Sequence, residues 1–158
     1  MEPATLLTLL LSCAPHVDPS TGQALVAIES SLNPHAIGVV GGTLHRQPRN
    51  RREALATALV LREAGWNFSV GLAQINVRNL HRLQLSLDSA FDPCRNLAAM
   101  QTVLVECFER SASAPQRAMV STQQALRKAL SCYYSGNLTT GFEHGYVRRV
   151  ALQALSQR

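Results

Sequence analysis

The sequence predicts a mainly α fold of the α+β class, a single domain of 158 residues with a small β-hairpin in its first half. Two Asp-Pro pairs, Asp18-Pro19 and Asp92-Pro93, each place a helix-capping side chain before a proline in the first turn, which is a common helix start. Apolar residues then recur at three- and four-residue spacing, as on one face of a helix. The β-branched residues around Gly41-Gly42 favour a short hairpin.

These signals place the elements in order along the chain. Six helices are expected at about residues 3–13, 19–32, 52–64, 93–111, 122–133 and 141–154. The second helix stops at Asn33-Pro34 and the third at Gly65, since proline restricts the residue before it and glycine often follows a helix. Between the helices we expect the hairpin at 37–44, an irregular loop at 66–76, a short helix near 79–83 and a second loop at 113–120.

Composition and charge narrow the classes of partner. Hydrophobic residues make up 46% and charged residues 16%, which predicts a compact fold rather than disorder. The net charge of +5 would suit nucleic acid, an anionic membrane or an acidic polymer such as cell wall. The densest basic run, four arginines within residues 46–52, reads as a solvated loop. Without a nucleic-acid-binding motif, we expect no nucleic-acid partner.

The apolar runs predict no stable membrane insertion, because none approaches the roughly 18 residues that a spanning helix needs. Residues 6–11 are apolar apart from Thr8 but lack a preceding basic segment, so they read as an amphipathic first helix rather than an export signal.

Four cysteines show no CxxC spacing, so neither a zinc site nor a redox motif is indicated. In an oxidising compartment they could form up to two disulfides, and otherwise they could be buried free thiols. We expect Cys94–Cys132 as a pair, because each residue sits at a helix boundary.

Glu29 is the candidate general acid. It follows Leu25 by four residues and so borders the apolar face of its helix. Loss of solvation there would raise the pKa of its carboxyl group, as a proton donor near neutral pH requires. The alternative is an ordinary exposed glutamate at the edge of an amphipathic helix.

Two further segments carry polar and aromatic groups that suit a sugar. Residues 71–76 contain Gln74 and Asn76, whose amides donate and accept hydrogen bonds. Tyr133 and Tyr134 precede a glycine turn and offer apolar ring faces with hydroxyl groups. A polar loop and core packing are the respective alternatives.

Taken in order, these segments resemble the soluble lytic transglycosylase family. The resemblance rests on Glu29-Ser30-Ser31-Leu32-Asn33-Pro34, Gly71-Leu72-Ala73-Gln74-Ile75-Asn76, Tyr133-Tyr134-Ser135-Gly136-Asn137 and the late Tyr146. The segments 37–42, 47–48, 67–71 and 92–94 are similar to the branch associated with type IV secretion and conjugation. Tyr134 departs from the family, which usually has asparagine there, and Ala73 stands where methionine is common.

The resemblance implies a goose-type lysozyme-like helical domain that cleaves the β-1,4 bond between N-acetylmuramic acid and N-acetylglucosamine and forms a 1,6-anhydro product. Glu29 would be the catalytic acid and then base. The implied substrate-binding or supporting residues are Ser30, Gln74, Asn76, Tyr133, Tyr134 and Tyr146. The implied partners of the protein are peptidoglycan strands and type IV secretion components. The resemblance further implies a monomeric enzyme of the periplasm that needs no cofactor or metal.

Two other functions stay open from the sequence: a hydrolytic muramidase on the same fold, and a catalytically silent wall-binding scaffold of a secretion machine. Ordinary glycosidases use a second carboxylate. Segments 71–76 and 133–137 contain none, and Glu53 and Glu63 are the nearest candidates, on a helix expected at the surface.

Overall fold

The computed structural model describes residues 1–112 and 121–156, so the predicted loop at 113–120 lies outside the described residues. The described helices are α1 (Pro3–Cys13), α2 (Pro19–Ser30), α3 (Arg51–Glu63), α4 (Pro93–Ala112), α5 (Thr122–Ser135), α6 (Thr140–Glu143) and α7 (Tyr146–Leu155). The strands are β1 (Ile37–Val39), β2 (Phe68–Val70) and β3 (Ile75–Asn76), and two 3-10 turns cover Val77–Asn79 and Ser89–Phe91. The mainly α class with a small β element is confirmed.

Local capping explains where the helices begin and end. The Asp18 carboxylate accepts a hydrogen bond from the Thr21 backbone N–H at 3.1 Å, so the predicted start of α2 is confirmed. The helix ends two residues earlier than expected, because Ser31 and Leu32 adopt left-handed conformations with φ of 52° and 63°. The predicted last helix is two helices, which are separated by Gly145 at φ 70°.

The sheet differs from the prediction. β1 pairs with β2, which lies about 30 residues further along the chain, rather than with residues 42–44 as the expected hairpin required. The hairpin is instead β2–β3, inside the segment that was expected to be irregular. The prediction failed because the pairing partner of a strand depends on tertiary contacts that local turn residues do not encode. The short helix expected near residues 79–83 is shifted towards the N terminus: a 3-10 helix covers Val77–Asn79, and residues 80–84 form turns.

The register of the sheet separates a core face from a second face. Ile37 pairs with Val70, which pairs with Ile75, and all three side chains are buried. On the alternate positions, Gly38 pairs with Ser69 and Ser69 with Asn76. Small and polar residues therefore share the face opposite the core.

Two disulfides join helices: Cys13–Cys94 links α1 to the start of α4, and Cys107–Cys132 links α4 to α5. The prediction of disulfide bonding is confirmed, but the predicted Cys94–Cys132 pair is wrong. Cys132 packs against Cys107, which lies about 20 Å along α4 from Cys94 at the usual helical rise.

The core is formed mainly by α2 against α7 and α4 against α5. Its largest fully buried side chains include Leu25, Phe68, Phe91, Leu97, Met100 and Tyr146. Among the helices of the described residues, none is both long and apolar enough to cross a membrane. The packing of α2 against α7 brings the end of α2 close to the start of α7.

Candidate active site

An open cleft of about 330 Å³ lies where the end of α2, the small sheet and the end of α5 meet. Its described lining residues are Glu29, Gly38, Val39, Val40, Ser69, Gln74, Ile75, Asn76, Asn79, Val103, Tyr133 and Tyr134. The polar face of the sheet thus forms one wall. In the described part of the chain, Glu29 is the one carboxylate among these lining residues.

Glu29 is half-buried in the last turn of α2. Burial raises the pKa of its carboxyl group from 4.5 to about 7, while the Tyr146 hydroxyl and the Arg149 charge act in the opposite direction. Burial has the largest effect on this pKa. It raises the pKa because the loss of solvation penalises the charged form. Near neutral pH, both the proton-donating and the proton-accepting forms of this group are therefore populated.

Tyr146 is buried at the start of α7, and its hydroxyl donates a hydrogen bond to Glu29 Oε1 at 2.5 Å. Burial, followed by the negative charge of Glu29, raises the pKa of Tyr146 far above its usual value, so this hydroxyl remains a donor. The donor fixes the orientation of the carboxyl group from behind the cleft, since Tyr146 does not belong to the described lining.

Gln74 is held in an unusual conformation for a residue other than glycine, with φ of 50°. Its Nε2 donates to the carbonyl oxygens of Ala36 at 3.2 Å and Gly71 at 3.0 Å. These bonds turn Oε1 towards Gly38. The two groups are so close that a Cβ added to Gly38 would lie 2.5 Å from Gln74 Oε1. The amide therefore presents its acceptor atom at the sheet wall of the cleft.

Asn96, on α4, holds the 71–74 turn and was not identified from the sequence. Its buried side-chain amide donates to Val70 O at 3.0 Å and to Ala90 O at 2.8 Å, and its Oδ1 accepts from Ala73 N–H at 2.8 Å. Gly71 is needed beside it, because φ is 81° and an added Cβ would lie 2.3 Å from Asn96 Nδ2. A single asparagine in a helical segment gives no sequence signal for this role.

The two tyrosines of α5 occupy different positions. The Tyr133 hydroxyl donates to Ala73 O at 2.7 Å, which ties α5 to the turn that carries Gln74. Burial raises the pKa of Tyr133 well above its usual value. Tyr134 is 42% exposed, and its ring stacks on Tyr146 with a centroid distance of 4.5 Å. Its hydroxyl lies 3.1 Å from His144 Nδ1.

Asn76 and Ser30 make mainly local contacts. Asn76 lines the cleft, but its Nδ2 donates to Asn67 Oδ1 at 2.9 Å and its Oδ1 accepts from Arg78 N–H at 3.0 Å. The Ser30 hydroxyl donates to the Val26 carbonyl oxygen of its own helix at 3.2 Å, and Ser30 lies outside the described lining. The structure thus brings Glu29, Gln74, Asn76, Tyr133 and Tyr134 to one cleft and places Tyr146 behind it.

The described residues offer no candidate metal site, and the alternative acids Glu53 and Glu63 lie outside the described lining of the cleft. Residues 1–112 and 121–156 contain no group of three or more His, Cys, Asp or Glu side chains that could hold a metal ion. Glu53 is half-buried, is paired with Arg46 at 2.8 Å and lies outside the described lining of the cleft. The Arg46 hydrogen bond lowers the pKa of Glu53, which is the opposite of what an acid catalyst requires.

The helical domain with one half-buried carboxyl group in an open cleft is of the lysozyme-like class. Over residues 10–154 the sequence matches the transglycosylase SLT domain, and the chain therefore belongs to that family.

Several curated relatives carry type IV secretion names. The chain is 46% identical over 153 residues to the type IV secretion system protein virB1 of Brucella abortus, covering 94% of this chain and 63% of the relative. It is 38% identical over 144 residues to protein virB1 of Agrobacterium fabrum, covering 90% of this chain and 56% of the relative. The chain thus spans about six-tenths of the length of these relatives. No solved structure matches it.

Proposed function

We propose that this domain is a lytic transglycosylase that cleaves the β-1,4 bond after N-acetylmuramic acid in peptidoglycan. The observation that carries the proposal is Glu29, whose carboxyl group has its pKa raised by burial to about 7 at the wall of the cleft. A group that titrates near neutral pH can both give and take a proton under the same conditions. Family membership and the amide-rich wall of the cleft support a glycan substrate.

In this mechanism, protonated Glu29 donates its proton to the bridging oxygen as the bond between that oxygen and the muramic C1 breaks. The departing N-acetylglucosamine takes that proton, and Glu29 becomes a carboxylate. The carboxylate then removes the proton from the muramic C6 hydroxyl, whose oxygen attacks C1 to close the 1,6-anhydro ring. The proton balance closes because Glu29 ends protonated, and no water is consumed.

The absence of a second acid from the described lining of the cleft favours this route over hydrolysis. An inverting or retaining hydrolase ordinarily places two carboxyl groups about the scissile bond. The substrate's own C6 hydroxyl replaces the attacking water here, so one carboxyl group suffices. Tyr133 and Gln74 would orient the sugar, and the exposed face of Tyr134 would stack against it.

The cellular context follows from the relatives and the disulfides. We propose that the domain opens the wall locally for a type IV secretion or conjugation apparatus, and the type IV secretion name of its Brucella relative supports this context. Two disulfides are typical of proteins that mature in an oxidising compartment. The periplasm is therefore the proposed location, where the domain would act as a monomer without a cofactor.

The test compares Glu29→Gln with wild type and with a matched control, Glu63→Gln, on purified peptidoglycan. Glu63 is an exposed acid at the end of α3, so its replacement should leave activity unchanged. We expect Glu29→Gln to fold but to release no soluble fragments, since an amide cannot supply the proton. Mass spectrometry of the wild-type products should give 1,6-anhydromuramic ends; reducing ends would indicate a muramidase, and full activity of folded Glu29→Gln would refute the assignment.

A further inference from the structure

Arg149 lies against Tyr146, the residue that bonds the acid, and does not belong to the described lining of the cleft. It is in the first turn of α7, three residues after Tyr146, and its guanidinium carbon lies 6.0 Å from the centroid of the Tyr146 ring. Its Nη1 donates to the carbonyl oxygen of His144 at 3.1 Å. The side chain therefore folds back over the same ring whose hydroxyl holds Glu29.

This position is electrostatically unfavourable for the helix itself. The N-terminal end of a helix carries a partial positive charge, so cations are normally stabilised at the opposite end. The first turn of α7 has no acidic residue to offset Arg149. The ring face of Tyr146 and the carbonyl oxygen of His144 nevertheless hold the cation at this position.

Glu29 is the negative charge available to Arg149 from α2, the helix that packs most extensively on α7. It is the one titratable residue of α2. The other titratable or charged groups on the elements packed against α7, or within its first turn, are Arg127, Lys128, Tyr133, Tyr134, Glu143, His144, Tyr146 and Arg148. Of these groups and Arg149, only Tyr146 and Arg149 contribute to the shift in the pKa of Glu29, and both lower it against the effect of burial.

We propose that Arg149, held against the ring of Tyr146, is a positioning residue whose charge stabilises the carboxylate that forms when Glu29 gives up its proton. The inference rests on the proposed function, in which Glu29 must work first as an acid and then as a base. Burial alone favours the neutral carboxyl group, so it makes Glu29 a weaker proton donor in the first step. A nearby cation, kept outside the sugar-binding wall, opposes that bias without occupying the cleft.

The experiment measures the titration of Glu29 directly, by NMR of the 13C-labelled carboxyl group, in wild type, Arg149→Gln, Arg149→Lys and Arg148→Gln. Arg148 is the adjacent exposed arginine of the same helix and is the matched control. We expect the Glu29 midpoint to rise in Arg149→Gln, to be at least partly restored in Arg149→Lys, and to stay at the wild-type value in Arg148→Gln. A midpoint in folded Arg149→Gln equal to that of Arg148→Gln would overturn the proposal.

A second measurement covers a failure of Arg149→Gln to fold. Because Arg149 is exposed, added salt should screen its charge and raise the Glu29 midpoint in wild type and in Arg148→Gln alike. A midpoint that does not move between low and high salt would contradict the role of Arg149.

Activity on peptidoglycan separates this inference from the function it rests on. If Arg149 acts as proposed, the alkaline limb of the pH–rate profile of Arg149→Gln should move with the NMR midpoint and kcat should fall more than KM rises. A shifted midpoint in a protein that cleaves no glycan would refute the proposed function but leave the coupling between Arg149 and Glu29 in place. Normal cleavage with an unmoved midpoint would refute the Arg149 role alone.

Discussion

The Tyr146 hydroxyl donates to the Glu29 carboxylate at 2.5 Å and joins two residues that are 117 positions apart in the chain. The first turn of α7 supplies the donor and the last turn of α2 supplies the acceptor. The contact that orients the acid is therefore part of the packing of α2 against α7, and the position of the catalytic carboxyl group depends on the packing of the helical core.

We expect Tyr146→Phe to lower kcat on peptidoglycan by about ten- to hundredfold, because a hydrogen bond to a charged group is worth about 1.5–3 kcal/mol. Since this bond lowers the pKa of Glu29, its loss should shift the pH–rate profile to higher pH. The ring remains to fill the core, so the far-UV spectrum should not change. An unaltered profile in the folded variant would argue against Tyr146 as the partner that tunes the acid.

Gly38→Ala tests whether the orientation of Gln74 matters for sugar binding. The added Cβ would lie 2.5 Å from Gln74 Oε1, so the amide must move away from its two carbonyl partners. We expect KM to rise severalfold with a smaller change in kcat. Gly42→Ala is the matched control, because its Cβ would make only ordinary contacts of 3.6 Å with Trp66 and Val39. Equal KM values for the two variants would exclude the role proposed for Gln74.

The parts of the fold that depend on residues close together in the sequence were predictable. The start of α2 follows from Asp18 and Pro19, and the start of α4 from Pro93, because each signal acts within one helical turn. The β-sheet could not be predicted in the same way, since β1 pairs with residues beyond an intervening helix. The predicted pairing of Cys94 with Cys132 failed for the same reason, since cysteines far apart in sequence are brought together only by the packing of the helices.

The site was partly predictable from the sequence. The residues that could be predicted differ from the others in a physical way. Glu29, Gln74 and Tyr133 lie in short motifs, and the structure brings them to the cleft. Asn96 and Arg149 carry no such signal, because their roles arise only when α4 packs on the 71–74 turn and α7 on α2. The Ser30 hydroxyl, although next to the acid in sequence, bonds within its own helix.

Asn96→Leu should destabilise the fold by about 3 kcal/mol or more, because it leaves two buried carbonyl groups and one buried N–H without their partner. The measurement is the free energy of unfolding in urea. Thr102→Ala is the control on α4, since the exposed Thr102 hydroxyl bonds only the Ala98 carbonyl of its own helix and should change stability by less than about 0.5 kcal/mol. A loss no larger than that of the control would mean that Asn96 does not hold the turn.

The pH dependence of stability gives a test of Glu29 that requires no substrate. Burial raises the pKa of Glu29 in the folded state to about 7 from an ordinary value of 4.5. The folded state therefore binds the proton more tightly, and the associated stabilisation is present in full below pH 4.5 and is lost as the pH rises through about 7. At 1.36 kcal/mol per pKa unit, the full effect is about 3 kcal/mol. Glu29→Gln cannot ionise, so its stability relative to wild type should increase between pH 4.5 and about 7 and level off above that range. Urea unfolding of both proteins across this range measures the difference, and a constant difference would show that Glu29 titrates as an ordinary solvated acid.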